Sequence, residues 1–435
     1  MTTATTVGTM SPQLLKVAEV AKCDPSARFY SLAYHIDEKM LADAFRRLRK
    51  DAAVGVDGVT PGQYAEGLEE RLRDLRARMK AGKYRHQPIR RVHIPKGPDK
   101  TRPIGIPTVE DKIVQRVLVD ILEVVYEQDF LPCSYGFRPG RSAHDALRKL
   151  DQVAYKGEAN WVLEADIQSF FDSVDRKALM EMLQRRIADG SLRRLVSKCL
   201  HAGVLDGEEY SEPEVGTPQG SVLSPLLGNI YLHYVLDGWF EREVKGRMDG
   251  AAHLIRYADD FIVAFERESD ARRVMKALPK RLGRFGLELH PDKTRLVPFS
   301  PPRGGGKGGK SETFDFLGFT AYWRRTRKGA WVPQLKTRRD RLRRAKKSAA
   351  DWCRSHRTQP VKDQHAALCK KLRGHINYFG VNGNYRSLRS LVEATERNWF
   401  KWLNRRSQRS SKRWDQFRDM LRAYPLPRAR IVVHL

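Results

Sequence analysis

The stretch LIRYADDFIVAF, residues 254–265, sets Asp259 and Asp260 side by side between two runs of strand-forming residues. Adjacent carboxylates repel each other. Two readings compete: an ordinary solvated turn at a hairpin tip, or a cradle for divalent cations. A third carboxylate bears on the choice. Asp166 lies near the end of WVLEADI, a run with strand character, 93 residues before Asp259. If that strand lies beside the hairpin, three hard oxygen ligands converge, a set suited to two Mg2+ ions that keep positions open for phosphate oxygens. Two such ions activate a 3′-hydroxyl and stabilise a departing pyrophosphate. The metal charge then offsets the repulsion within the pair.

The elements that must position these groups follow from periodicity. The start, MTTATTVGTMSPQ, has no basic segment followed by an apolar one, so it is not a signal peptide, and residues 1–24 are expected as a disordered tail. IRRVHIPKGPDKTRPIGIP alternates around turn residues 97–100 and predicts a basic β-hairpin. Residues 109–130 place Ile113, Val117, Ile121, Leu122 and Val125 on one face of a long helix. TPQGSVLSPLLGNIYLHYVLDGWF opens as a turn and becomes helix; a helix over 269–285 and TFDFLGFTAYW as a strand follow the paired aspartates. This alternation predicts an α+β unit. Beyond residue 330 the pattern turns wholly helical, with Leu368, Leu372 and Ile376 marking one helix and Leu388, Leu391 and Trp399 another.

The net charge is +29, and it is uneven. Residues 301–435 hold 34 Lys and Arg against 9 Asp and Glu, interleaved with tryptophans at helical spacing. A folded, basic last third fits a phosphate backbone better than a solvated tail does. The five cysteines form no C-x-x-C pair and are odd in number, which argues against a disulfide framework or a thiolate zinc site and for a reducing cytoplasm. No stretch approaches the ~18 apolar residues of a membrane span, so no membrane partner is expected. Gly304 to Ser311 literally satisfies G-x-x-x-x-G-K-S. A phosphate-binding loop needs a strand before it and a helix after it; PFSPPR and TFDFLGF supply neither, so RGGGKGGK is a linker.

In chain order, SYGFRPGRSAHDAL, ADIQSFFDSV, GTPQGSVLSPLLGNIYL, YADD, LELHPDKT and FDFLGF resemble the blocks of a reverse transcriptase, specifically a group II intron reverse transcriptase/maturase. LRGHINYFGVNGNY and WFKWLNRRSQR extend the resemblance into that family's thumb and maturase region. It implies a right-hand polymerase fold: fingers and palm over 25–325 with an antiparallel sheet and helices, an all-α thumb over 326–400, and a basic nucleic-acid-binding segment over 401–435. It implies an RNA-directed DNA polymerase that also binds structured intron RNA and assists splicing and mobility. Its partners would be an RNA template with a DNA primer, target DNA and deoxynucleoside triphosphates, in a bacterial cytoplasm. The same core recruited to defence, repair or CRISPR spacer acquisition, and a splicing-only maturase, are the rival readings.

Carried over residue by residue, the resemblance makes Asp166, Asp259 and Asp260 the ligands of two Mg2+ ions, for which Mn2+ can substitute, with the Ile167 carbonyl assisting. Tyr257 would pack behind the hairpin and Ala258 would lie against the primer's terminal nucleotide. Lys96 and Arg102 would grip the incoming triphosphate, a lysine as a point charge and an arginine as a fork. Gln219 would line the nucleotide pocket. Lys293 would protonate pyrophosphate as a general acid, unless it is a plain surface lysine. Leu317 and Gly318 would hold the primer strand, unless they belong to a core strand with one glycine. Phe171 stands where makers of RNA carry a polar side chain that accepts the ribose 2′-hydroxyl; its ring implies deoxynucleotides, and one of Phe170 and Phe171 must point away into the core. Arg405, Arg406 and Arg409 are candidate RNA contacts, with Trp399 and Trp402 on the same helical face. The metal-binding endonuclease that follows the maturase region in many relatives has no counterpart before Leu435, so the sequence resembles the shorter lineage.

Overall fold

The computed structural model describes residues 11–95, 101–212, 215–217, 220–302, 312–407 and 411–435. Its strands are β1 (Ile89–Pro95), β2 (Thr101–Ile106), β3 (Trp161–Asp166), β4 (Val204–Asp206), β5 (Glu209–Ser211), β6 (Ala252–Tyr257), β7 (Asp260–Phe265), β8 (Arg295–Pro298), β9 (Phe314–Phe316), β10 (Phe319–Arg325) and β11 (Trp331–Thr337). They form three sheets, in the orders β2-β1-β4-β5, β6-β7-β3-β8 and β11-β10-β9. Sheets and helices together give the mixed architecture expected. The basic hairpin is β1 with β2, closing at the pair Pro95–Thr101; Lys96 and the turn 97–100 lie outside the described residues.

The β6-β7-β3-β8 sheet is antiparallel throughout. Leu163, Ala165, Phe261, Val263 and Phe265 alternate onto one face and join the larger apolar core; Val162, Ile262 and Ala264 face a second core shared with β9–β11. A sheet covered on both faces reads as continuous apolar runs, which explains FIVAF.

Helix α1 spans Pro12–Cys23, which corrects the expectation of a disordered tail for that stretch. Ser11 caps it by accepting from the Leu14 N–H, Pro12 starts it, and Leu14 and Ala21 are buried. Arg186 fastens the far end, donating to the carbonyls of Ala21, Asp24 and Ala27. Residues 1–10 lie outside the described residues.

Helix α2 (Val109–Asp129) forms where expected, but it is buried nearly all round rather than on one face. Its buried polar residues are partnered. Asp111 accepts from the Tyr84 hydroxyl (2.6 Å) and the Thr108 hydroxyl (2.7 Å); the Gln115 carbonyl oxygen accepts from the Ser221 hydroxyl (3.0 Å) and the Val222 N–H (2.9 Å). A buried polar group is stable only when so satisfied. Gln115 thereby pins the chain at Ser221 and Val222. Gly220 brings that chain onto β2, where any Cβ would lie 2.4 Å from the Gly105 carbonyl oxygen.

Helix α3 (Ser224–Leu232) starts as expected and then widens into π-helical turns at His233–Asp237 and Phe240–Val244. TFDFLGFTAYW is two strands, not one: β9 and β10 are joined by a tight turn in which Leu317 has φ 51° and Gly318 φ 81°, the paired positive values of a type I′ hairpin. The chain past residue 330 is not wholly helical either. β11 precedes the helices α4 (Arg339–Ser355), α5 (Val361–Phe379), α6 (Tyr385–Leu403) and α7 (Trp414–Ala423). These helices enclose their own core, with Trp399 fully buried and its indole N–H donating to Gln364 (2.9 Å).

Candidate active site

Strand pairing brings the carboxylates together. Asp166, last in β3, stands opposite Asp260, first in β7, while Tyr257 pairs with Asp260 across the hairpin. Ala258 and Asp259 are thus a two-residue turn. Ala258 has φ 58°, the positive first turn residue of a type II′ hairpin. Removal from bulk water, then the negative charges of Asp259 and Asp166, push the Asp260 carboxyl up to about 7. Its side chain is nonetheless exposed, so the like charges are the part of this shift that a cation would reverse. Burial and the charge of Asp166 also raise Asp259, while Arg102 and Arg256 pull it down.

The donor set fits a divalent ion by chemistry: three hard carboxylates whose mutual repulsion favours a cation. Among the described residues, no three His, Cys, Asp or Glu side chains are gathered as they stand into a group able to hold an ion. The Lys293 ammonium pairs with Asp166. Around it, the backbone of 288–290 runs beside the end of β3: the His290 N–H donates to the Asp166 carbonyl (2.8 Å) and the Gln168 N–H to that of Glu288 (2.8 Å), with Ile167 between them.

The turn hangs from a buried arginine that sequence reasoning missed. The Arg256 guanidinium donates to both carboxylate oxygens of Asp237 (2.7 and 2.5 Å), to Asn229 (2.9 Å), to the Ser134 hydroxyl (2.8 Å) and to the Ala258 carbonyl (2.9 Å). Arg256 and Asp237 are wholly buried. An arginine set among the apolar residues of LIRY was the available signal. Residues 133–136 lie along β6: the Arg256 N–H donates to the Cys133 carbonyl and the Tyr135 N–H to that of Arg256 (both 2.8 Å). At Gly136 a Cβ would sit 2.4 Å from the Ala258 nitrogen. Only glycine permits that approach.

Phe170 is buried and Phe171 half-buried, their rings edge-to-face at 5.1 Å. The Phe171 carbonyl accepts from the Thr217 N–H (2.6 Å); Gln219 lies outside the described residues. The Leu317 N–H acts on Asp260, lowering its pKa, so the 317–318 turn reaches the carboxylates from the other side. The Leu317 carbonyl accepts from the Tyr378 hydroxyl (2.9 Å) and that of Gly318 from the Arg338 N–H (3.0 Å), tying the turn to the helices.

Far along the chain, Arg354, Lys401 and Arg405 stand 5.7, 5.6 and 5.3 Å from the centre of the Trp402 ring. Arg406 donates to the Thr358 carbonyl, Trp399 is core, and Arg409 lies outside the described residues. A separate cavity of about 760 Å3, lined by Leu14, Tyr34, Met40, Arg47 and Lys80 among others, includes none of the carboxylates. No described helix is long and apolar enough to cross a membrane.

Residues 94–321 match the family model described as reverse transcriptase (RNA-dependent DNA polymerase). Protein YkfC of Escherichia coli is 34% identical over 362 residues, covering 74% of this chain and 92% of its own. The group II intron-encoded protein LtrA of Lactococcus lactis is 26% identical over 467 residues, covering 88% and 76%. Nuclear intron maturase 2 of Arabidopsis thaliana is 27% identical over 230 residues, covering 44% and 29%.

Proposed function

Because the chain belongs to the reverse transcriptase (RNA-dependent DNA polymerase) family, in its group II intron-encoded branch, we propose that it copies RNA into DNA and also binds structured intron RNA, assisting splicing and mobility. The observation that carries this reading is the facing pair Asp166–Asp260 with Asp259 in the adjoining turn.

In this reading the β6-β7-β3-β8 sheet is the palm, the β1–β2 hairpin belongs to the fingers, and α4 to α6 form the thumb. Two Mg2+ ions held by Asp166, Asp259 and Asp260, with the Ile167 carbonyl, would supply Lewis acidity at the 3′-oxygen and the pyrophosphate. The protein's share is position and charge. Arg256 fixes the turn, so Asp259 needs no reorganisation on binding. Arg102, with Lys96, draws in the triphosphate, and Gln219 lines its pocket. Tyr257 backs the turn and Ala258 meets the primer terminus. Phe171 occupies the room a ribose 2′-hydroxyl would need, selecting deoxynucleotides. Lys293 gives a proton to the leaving pyrophosphate, a role its ion pair with Asp166 supports. Leu317 and Gly318 hold the primer strand, and the Trp402 cluster with Arg405, Arg406 and Arg409 takes RNA phosphates.

Primer extension on a primed RNA template in Mg2+ is the test. Asp259→Ala should reduce it on the order of 10³-fold or more, since several kcal/mol of transition-state stabilisation go with a metal ligand. Binding to RNA should survive. Undiminished extension by this variant refutes the site.

A further inference from the structure

We propose that Phe137 is a positioning residue for the primer–template duplex, packing its ring on the sugar and base edges of the last few base pairs behind the primer terminus. This rests on the polymerase reading above and assigns a residue to the duplex that enters that site.

Phe137 is held in the left-handed region, at φ 55°. A bulky side chain rarely adopts that conformation, and where it does the surroundings must enforce it. Its neighbours do so. On one side the Gly136 carbonyl accepts from the buried Asn229 amide (2.7 Å), and Gly136 is pressed against the backbone of the catalytic turn. On the other, Arg138 is buried, donating to Glu127 and to the carbonyls of Leu131 and Ser134 (both 2.9 Å). Between two fixed residues, the side chain is turned outward and is 53% exposed.

A strained backbone and an exposed ring are each unfavourable for the folded protein alone. The other non-glycine residues with positive φ among those described are Ser169, Ala258 and Leu317; Ala258 adjoins Asp259, the Leu317 N–H reaches Asp260, and Ser169 follows Asp166 by three residues. Such conformations collect where function requires them. The Phe137 ring lies beside that of Tyr257, centroids 6.3 Å apart, and Tyr257 immediately precedes the turn. An apolar face beside the point where the primer terminus must sit suits the stacked, sugar-edged surface of a duplex. A phosphate would want a cation there instead.

The experiment compares wild type, Phe137→Asn and Phe137→Tyr by thermal unfolding, by fluorescence anisotropy with a labelled DNA primer on an RNA template, and by single-nucleotide extension. Asparagine tolerates the left-handed region. Phe137→Asn should therefore unfold no lower than wild type, yet bind the duplex about tenfold more weakly, the scale of one lost aromatic contact. Its KM for duplex should rise more than its kcat falls, and Phe137→Tyr should restore binding. Primers carrying an abasic nucleotide at successive positions from the 3′ end locate the contact. At one of them the abasic penalty and the Phe137→Asn penalty should fail to add. Additive penalties at every position, or unchanged affinity in Phe137→Asn, would overturn the proposal. Binding is read without turnover, so absence of extension by wild type would count against the polymerase reading and not against Phe137.

Discussion

Arg256 and Asp237 form a two-point ion pair with no exposure to solvent, and the same guanidinium holds the Ala258 carbonyl at 2.9 Å. Removing one partner leaves a buried charge uncompensated. Asp237→Asn should lower the free energy of unfolding by about 3–5 kcal/mol. Urea unfolding measures this, and the double substitution Asp237→Leu with Arg256→Met should recover part of the loss. A loss under 1 kcal/mol in the single variant would mean that the pair is not isolated from water.

Sugar selection should follow Phe171. Phe171→Ala should raise the ratio of ribonucleotide to deoxynucleotide incorporation, measured as the ratio of kcat/KM values on one primed template. Phe170 cannot serve in its place, because its side chain is buried in the core, whereas Phe171 is half-buried. An unchanged ratio would move the gate elsewhere.

Acid should destabilise the fold through His233. Burial, and then the positive charge of Arg256 among others, hold its imidazole down at about 4, against the partial opposition of Asp237. Its folded value lies below its unfolded value of about 6.5. This contribution to stability is therefore complete above pH 6.5 and is lost as pH falls toward 4, by on the order of 3 kcal/mol. His233→Leu should show a shallower decline over that window when urea unfolding is compared at pH 7.5 and 4.5. Parallel declines would show that His233 gains its proton as readily folded as unfolded.

RNA affinity should fall steeply with salt, with a slope set by the phosphates neutralised. Replacing Arg405, Arg406 and Arg409 together by Gln should shrink that slope and weaken cognate structured RNA more than a scrambled competitor. Extension of a short pre-annealed primer at low salt should be spared. If extension falls in step with RNA binding while stability holds, these arginines serve the template duplex instead.

The hairpin carrying the paired aspartates was legible because two runs of strand-forming residues flank a two-residue turn, which is a local signal; that β3 lies beside it, 93 residues from Asp259, could be stated only as a condition. The arginine network was not legible. Arg256 and Asp237 are brought together by a π-helical widening after Leu232 that no periodicity announces. The all-round burial of α2 was hidden by Asp111 and Gln115, which look like solvent-facing residues until their partners, Tyr84 and Ser221, are known. β11 was hidden by Pro333 and its polar neighbours. A proline is tolerated there because β11 is an edge strand. Lys96 and Gln219 were singled out by resemblance and Arg409 by its place in a basic run, and all three lie outside the described residues.

The change of sequence character at residue 325 invites a cut there, to express polymerase and helices as separate pieces. Such a cut would pass between two strands in register from Phe319–Thr337 to Arg325–Trp331, and would leave β10 with a bare edge. It would also remove Tyr378, whose hydroxyl donates to the Leu317 carbonyl (2.9 Å) in the turn beside Asp260. The helices are thus not cargo that a different polymerase core could simply acquire. A functional exchange between relatives would have to carry β9 to β11 along with them.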